Sequence, residues 1–427
     1  MREPGDTQPA GGDCPHLGQS YNPLEEPQLD NPYPFYARAR SEEPVFFSER
    51  LQAWVVTRYD DVRSILLRPD IFSSKDTFRP IVTWVPEVFQ VLARSDAATV
   101  PIFINTDGRE HMRFRTPLNQ AFVPARLKAM ESTIRPVAHR LVDTFYKEGH
   151  TDLVANFAGP LPQEIILRLF GIPQADMAQC KRWSEDYLAL IASPLSPQRQ
   201  VECAHSFVAF NEYMAALAEK RSANLGEDVV SCLLTVHYDE AQPLTRAEVV
   251  ATLSTVLLAG HEATTNVIGT AVYLLLSQPE RWQHVCEHPE DIPAAVEEIL
   301  RFDTTHGFFR TALQEAQVGG VTIPAGGRIF PAYASADHDE ARFANAEQFD
   351  LQRSPNQHLA FGHGVHFCVG APLARIELRI AVEVLSQRLP QLRLQPHQHI
   401  SYHPMLLGRS LRQLGVAWSV AQEEHAP

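Results

Sequence analysis

A mainly α-helical fold with a small β region, crossed by one long central helix, is what this sequence predicts. Three observations carry the prediction. A proline-free apolar run extends from Thr245 to Ser277, helical periodicity recurs through most of the remaining chain, and strand-like alternation is confined to a few short segments.

The long run opens with a T-x-x-E capping box, Thr245 to Glu248, and stops before Pro279. At 1.5 Å per residue it spans roughly 50 Å, about the width of a large domain, so it must pass through the interior. Its interspersed Thr, Ser, His and Glu residues suit a buried helix better than a bilayer span. Further helices are expected near 32–40, 109–121, 126–147, 161–170, 198–222, 291–302 and 372–389. Strands are expected at PVFFS and AWVVTR, within 318–333, and at LRLQP and LGVAWSV. No Ser/Gly linker or repeat divides the chain, so residues 21–420 read as one domain between mobile tails at 1–20 and 421–427.

With 427 residues, 44% of them hydrophobic and 9% aromatic, the chain can bury a large core, which excludes a mainly disordered protein. A formal charge of −14 argues against nonspecific binding to nucleic acid or anionic lipid. The first twenty residues hold no apolar stretch, so no secretion signal or membrane anchor is read there, and a cytoplasmic location is expected.

The six cysteines, Cys14, Cys180, Cys203, Cys232, Cys286 and Cys368, lie far apart with no CxxC pair. A disulfide framework is therefore not expected, and five of them read as small buried hydrophobes. Cys368 differs by its neighbours. FGHGVHFCVG, residues 361–370, packs three glycines and two histidines around it before a helix that opens with Pro372. A thiol at a helix N-terminus is expected to have a lowered pKa, which suits a metal ligand. His363, His366 and Cys368 offer three zinc ligands at unusually tight spacing, with no second Cys/His cluster to complete a structural site. A Cys–His nucleophile is the other rival. The apolar Phe361, Val365, Phe367 and Val369 favour instead a loop packed against a large flat apolar group.

The loop resembles the haem-binding segment of the cytochrome P-450 superfamily, F-x-x-G-x-[H/R]-x-C-x-G, at Phe361, Gly364, His366, Cys368 and Gly370. Further signatures extend the resemblance from about residue 20 to 420, closest to soluble bacterial members. It implies haem b, iron protoporphyrin IX, with Cys368 as axial thiolate ligand. It implies that His111 and Arg115 of EHMRFR, Arg310 and His366 hold the two haem propionates. The E-x-x-R pair Glu298 and Arg301 is implied to be a buried structural lock, with Arg353 as its third member because Gln348 stands where many members have Arg.

In AGHEATT the family pattern A-G-x-[D/E]-T implies that Ala259 and Gly260 lie over the haem, the glycine loosening the helix there, and that Glu262 serves proton delivery. Ala263 replaces the usual threonine. Thr264, one residue on, points about 100° away and does not simply inherit its role. A substrate hydroxyl or an ordered water held by Glu262 and Thr264 is expected to complete the relay.

The implied activity is a monooxygenase that hydroxylates or epoxidises an apolar substrate such as a polyketide, macrolide, terpenoid or fatty-acyl compound. Oxidative coupling is the alternative, and a non-catalytic haem or recruitment module the lower one. Expected wall residues are Phe78, Ile81, Trp84, Val85, Phe103, Val256, Phe308, Met405, Leu406 and Leu407, with Thr305 and His306 near oxygenated groups. No flavin or iron–sulfur motif is found in the chain, so a separate ferredoxin or flavodoxin with its NAD(P)H-dependent reductase is implied. Arg113, Arg126, Lys128 and Arg379 are candidates for its docking face.

Overall fold

The computed structural model describes residues 16–78, 80, 82–226, 228–239, 242–303, 307–406 and 408–420. Cys14, Ile81, Thr305, His306, Leu407 and the 421–427 tail lie outside the described residues.

The central helix runs Arg246–Leu276. Thr245 Oγ1 accepts the Glu248 N–H at 3.2 Å, and Glu248 Oε2 accepts the Thr245 N–H at 2.7 Å, which closes the capping box. Both faces of this helix are largely buried, the opposite of an amphipathic surface helix, because other helices pack around it. Among them are Pro160–Leu169, Met177–Ala192, Pro197–Ser222, Ile292–Phe302 and Ala371–Arg388. They share one large apolar core.

The expected helix at 126–147 divides at Met130 into Pro124–Ala129 and Glu131–Phe145. Helices Tyr59–Leu67, Pro86–Leu92, Met177–Ala192, Val229–Thr235 and Pro279–Glu287 had not been expected. Residues 17–20 correct the expected N-terminal tail. Leu17–Ser20 form a helical turn docked on the sheet, with Leu17 buried and its N–H donated to Glu43 Oε2 at 3.1 Å.

The β region is chiefly a five-stranded sheet in the order Val45–Ser48, Ala53–Val56, Arg328–Pro331, Arg310–Ala312, Phe72–Ser73. Its one parallel pairing joins Trp54 to Ile329 and Val55 to Phe330, and the other pairings are antiparallel. The sheet thereby fixes Arg310 beside the loop that follows it in space, residues 361–370.

The Glu298–Arg301 pair at the centre of the lock between helix Ile292–Phe302 and the segment before that loop is fully buried. Arg301 donates to both Glu298 oxygens, at 2.8 and 2.7 Å, and to the carbonyls of Asp337, Ala346 and Gln348. Arg353 Nε reaches Glu298 at 3.0 Å, joined by Asn356 Nδ2 and the Asp350 N–H. Gln348 contributes its backbone carbonyl, to Arg301 and to Arg353.

Candidate functional site

The 361–370 loop is shaped by its backbone. Phe361 O accepts the Cys368 N–H at 2.9 Å, and a single 3-10 turn, Gly364–His366, lifts the residues between. Gly364 sits at φ +73°, and a Cβ there would lie 2.5 Å from the Leu66 carbonyl oxygen. Gly364→Ala is therefore expected to displace the loop and cost about 1–3 kcal/mol in chemical denaturation. Gly370, by contrast, has φ −81° and room for a Cβ.

Cys368 is exposed by surface area, yet burial pushes its thiol pKa up. The two agree if the thiol faces an internal cavity instead of bulk water. The upward direction corrects the expectation of a lowered thiol pKa: the N–H groups of Gly370 and Ala371 and the charges of Arg115 and Arg375 pull it down, and burial outweighs them.

The central helix has one accessible stripe. Ala259 and Ala263, one turn apart on an otherwise buried helix, are both exposed. Gly260 does not loosen this helix, which is unbroken. Instead the glycine admits Ile166, whose side chain would meet a Cβ at 2.7 Å. Glu262 and Thr264 lie to opposite sides of Ala263 and are not brought together. Glu262 is half-buried, and its carboxyl pKa is raised by burial and by Glu185, while Asn266 and Lys181 oppose the rise. Thr264 is buried. His261 pairs with Ser184 Oγ at 2.8 Å, and burial lowers its pKa to about 4.

Four cationic or hydrogen-bonding side chains gather beside the loop. The rings of His111 and His366 are 4.0 Å apart. His111 sits between the carbonyls of Phe103 and Val365, at 3.0 and 3.2 Å, and burial lowers its pKa to about 4. A neutral imidazole donates to only one of those carbonyls. Arg115 donates to Asn119 Oδ1 and the Phe367 carbonyl, and the buried Arg310 donates to the Phe309 carbonyl at 2.8 Å.

Sequence reasoning missed Asp107, whose oxygens accept from Ser73 Oγ and the Ser74 N–H. It lies 3.6 Å from His366 Nε2, too far for a hydrogen bond, and the contact is ionic only with a protonated imidazole, which burial disfavours. Its position at the N-cap of helix Gly108–Ala121, four residues before His111, was the available signal.

The expected wall residues divide. Trp84 donates its indole N–H to the Leu190 carbonyl at 2.9 Å, and the Val85 N–H donates to Gln200, so both tie their loop to neighbouring helices. Phe78 and Phe308 meet edge to face at 6.2 Å. Val256, Phe103 and Met405 are buried, and Leu406 packs with Phe309 and Phe330 in the cluster beside the sheet. Of the expected docking cations, Arg113 is paired with Glu110 and Glu248, and Arg379 with Glu131 and Glu383. Arg126 donates to the carbonyls of Gln120 and Ala121, while Lys128 is exposed.

An exposed thiol on a glycine turn, with His111, Arg115, Arg310 and His366 gathered beside it, is an arrangement suited to a haem-thiolate protein. The family model for cytochrome P450 matches residues 52–288 and 292–405, and the chain belongs to that family. Relatives include the mycinamicin IV hydroxylase/epoxidase of Micromonospora griseorubida, 36% identical over 86% of this chain and 90% of that one. The cytochrome P450 monooxygenase PikC of Streptomyces venezuelae is 32% identical over 92% of each chain. The structure of cytochrome P450 CREJ in complex with (4-ethylphenyl) dihydrogen phosphate superposes with TM-score 0.88 at 33% identity, covering 94% of this chain and all of that one. The protein is accordingly a monooxygenase of the haem-thiolate type, a class that uses O2 and electrons from redox partners. Among the described residues no helix is long and apolar enough to cross a membrane.

The residues present fit a haem. His366 Nε2 is buried without a hydrogen-bond partner, and Val365 and Phe367 are exposed large apolar side chains beside Cys368. A flat apolar group with carboxylates at one edge satisfies both.

Proposed function

We propose that Cys368 ligates haem b and that the protein hydroxylates or epoxidises a hydroxyl-bearing natural product of macrolide or polyketide type. The observation that carries this is the exposed Cys368 thiol on the glycine turn with the buried, unpartnered His366 Nε2 beside it. When bound, the haem supplies a redox iron that activates O2 with two electrons from a partner. His111, Arg115, Arg310 and His366 hold the propionates, since buried carboxylates need charged or donating partners. The apolar side chains at the cavity orient the substrate and exclude water.

Burial raises the pKa of the half-buried Glu262 carboxyl, which favours its taking up and passing on a proton. No hydroxyl follows it on the accessible stripe, because Ala263 offers only a methyl group. A hydroxyl of the substrate, or a water held with Thr264, bridges that gap. Electrons come from a ferredoxin or flavodoxin with its NAD(P)H-dependent reductase, in the cytoplasm. Residues 17–420 act as one domain, with Leu17–Ser20 included.

A macrolide panel tests the reading. Expected results are a low- to high-spin shift with at least one member, a red-shifted Soret band in the ferrous carbon monoxide complex, and loss of that band in Cys368→His. An unshifted band in the wild type overturns it. A positioned proton donor contributes about 10²–10⁴-fold. Deoxygenated analogues of a turned-over substrate are therefore expected to divert most reducing equivalents to peroxide, measured as product formed per NADPH consumed. Equal coupling with the analogue, together with an inert Thr264→Ala, would sink the relay.

A further inference from the structure

Glu297, next to the buried Glu298, takes no part in the Arg301 lock. Its carboxylate accepts from Arg375 Nε at 2.6 Å and Nη2 at 2.9 Å, and from His358 Nε2 at 3.1 Å. The Ala360 N–H donates to His358 Nδ1 at 3.2 Å, which assigns the ring proton of the neutral imidazole to Nε2, facing Glu297. Burial pushes the Glu297 carboxyl up, but His358 and Arg375 outweigh it and bring the pKa to about 2, so the group is charged at any working pH.

The Arg375 guanidinium also lies 4.5 Å over the ring of Phe361, the residue whose carbonyl holds the Cys368 N–H. Arg115 and Arg375 both carry charge that acts on Cys368. They are not equivalent. In the haem-thiolate reading Arg115 serves a propionate of the bound group, whereas Arg375 is clasped by a carboxylate of the protein itself through two parallel hydrogen bonds.

We propose that Glu297 sets how much of the Arg375 charge is felt at the Cys368 thiolate, with His358 holding the carboxylate in place, and that the three residues thereby tune how readily the bound metal is reduced. The inference rests on the haem-thiolate reading of the site. Reduction adds one negative charge beside a thiolate. A nearby cation favours the reduced state, a nearby anion disfavours it, and an intact ion pair largely cancels. Glu297, His358 and Arg375 touch neither substrate nor the reacting atoms, so they are positioning residues.

Spectroelectrochemical titration of the purified holoenzyme tests this with Glu297→Gln, Arg375→Gln and the double variant. Glu297→Gln leaves the guanidinium unopposed. The ferrous-to-ferric ratio at a fixed electrode poise should rise roughly three- to tenfold, the scale of one unit charge acting through a partly screened interior. Arg375→Gln leaves the carboxylate unopposed and should lower the ratio by a similar factor. The double variant, neutral again, should return to within about twofold of the wild type.

Glu297→Asp keeps the charge and serves where Glu297→Gln fails to hold haem; it should stay near the wild-type ratio. A purely packing role predicts instead that both single variants move in one direction and the double moves further, which overturns the proposal. A red-shifted carbon monoxide band with unmoved ratios overturns the inference alone. A wild type lacking that band overturns the haem-thiolate reading and this inference with it.

Discussion

Arg301→Lys should destabilise the protein by about 3–5 kcal/mol, a large part of the 5–15 kcal/mol that typically separates folded from unfolded domains. Lysine supplies a point charge where the guanidinium supplies a planar fork. The two bonds to Glu298 and the three to the carbonyls of Asp337, Ala346 and Gln348 cannot be reproduced by one ammonium group. Glu298 keeps Arg353, Asn356 and the Asp350 N–H, and the Gln348 carbonyl keeps Arg353, so the carboxylate stays partly compensated while the carbonyls of Asp337 and Ala346 are orphaned. Those carbonyls belong to the segment leading into the cysteine loop, and haem content should fall with stability. Thermal unfolding together with the haem-to-protein ratio measures both. An unchanged ratio in a protein of wild-type stability would refute the assignment of the lock.

Glu377→Met should raise stability by about 2 kcal/mol or more at neutral pH, with the gain growing as pH rises. Glu377 lies in the interior of helix Ala371–Arg388, 1% exposed, with neither carboxyl oxygen hydrogen-bonded. Burial alone raises its pKa well above the ordinary carboxylate value. Below pH 4.5 the folded and unfolded chains both carry the proton, and the group adds no pH dependence. Above it the unfolded chain ionises while the folded chain does not, and stability falls by about 1.4 kcal/mol per pH unit until the folded pKa is reached. Methionine removes both the unmet hydrogen bonds and this slope. Melting temperatures of the two proteins from pH 4 to 8 should diverge steadily, and parallel curves would show that Glu377 has a partner.

Local signals decided what was legible. The central helix, with a capping box at one end and Pro279 beyond the other, was expected over Thr245–Ser277 and runs Arg246–Leu276. The helix Met177–Ala192 carried no comparable mark. Its sequence MAQCKRWSEDYLALIA mixes charged and aromatic residues, and it is organised by packing on its neighbour Pro197–Ser222, an influence no local window contains. The contiguous cysteine loop could be read as a unit.

The partners of its surroundings could not. Arg113 finds Glu248, 135 positions away, and Arg379 finds Glu131, so cations that look free in sequence are neutralised in space. The role of Gly260 was obscured for the same reason, since the side chain that needs its missing Cβ belongs to Ile166. Glu262 and Thr264 sit two residues apart, and only helical geometry shows that they face different ways.

The parallel pairing of Ala53–Val56 with Arg328–Pro331 bears on how the chain is made. Some 270 residues separate the partners, so a ribosome releasing the chain from its N-terminus exposes the apolar AWVV strand long before its neighbour exists. The Val45–Ser48 and Ala53–Val56 strands can pair early as a hairpin, with the Leu17–Ser20 turn against it, but its inner edge stays open. The sheet closes only as the last quarter of the chain emerges, bringing Arg310 and the cysteine loop with it. Synthesis at low temperature, or with a chaperone that shields strand edges, is therefore the condition under which recovery of folded protein should improve most.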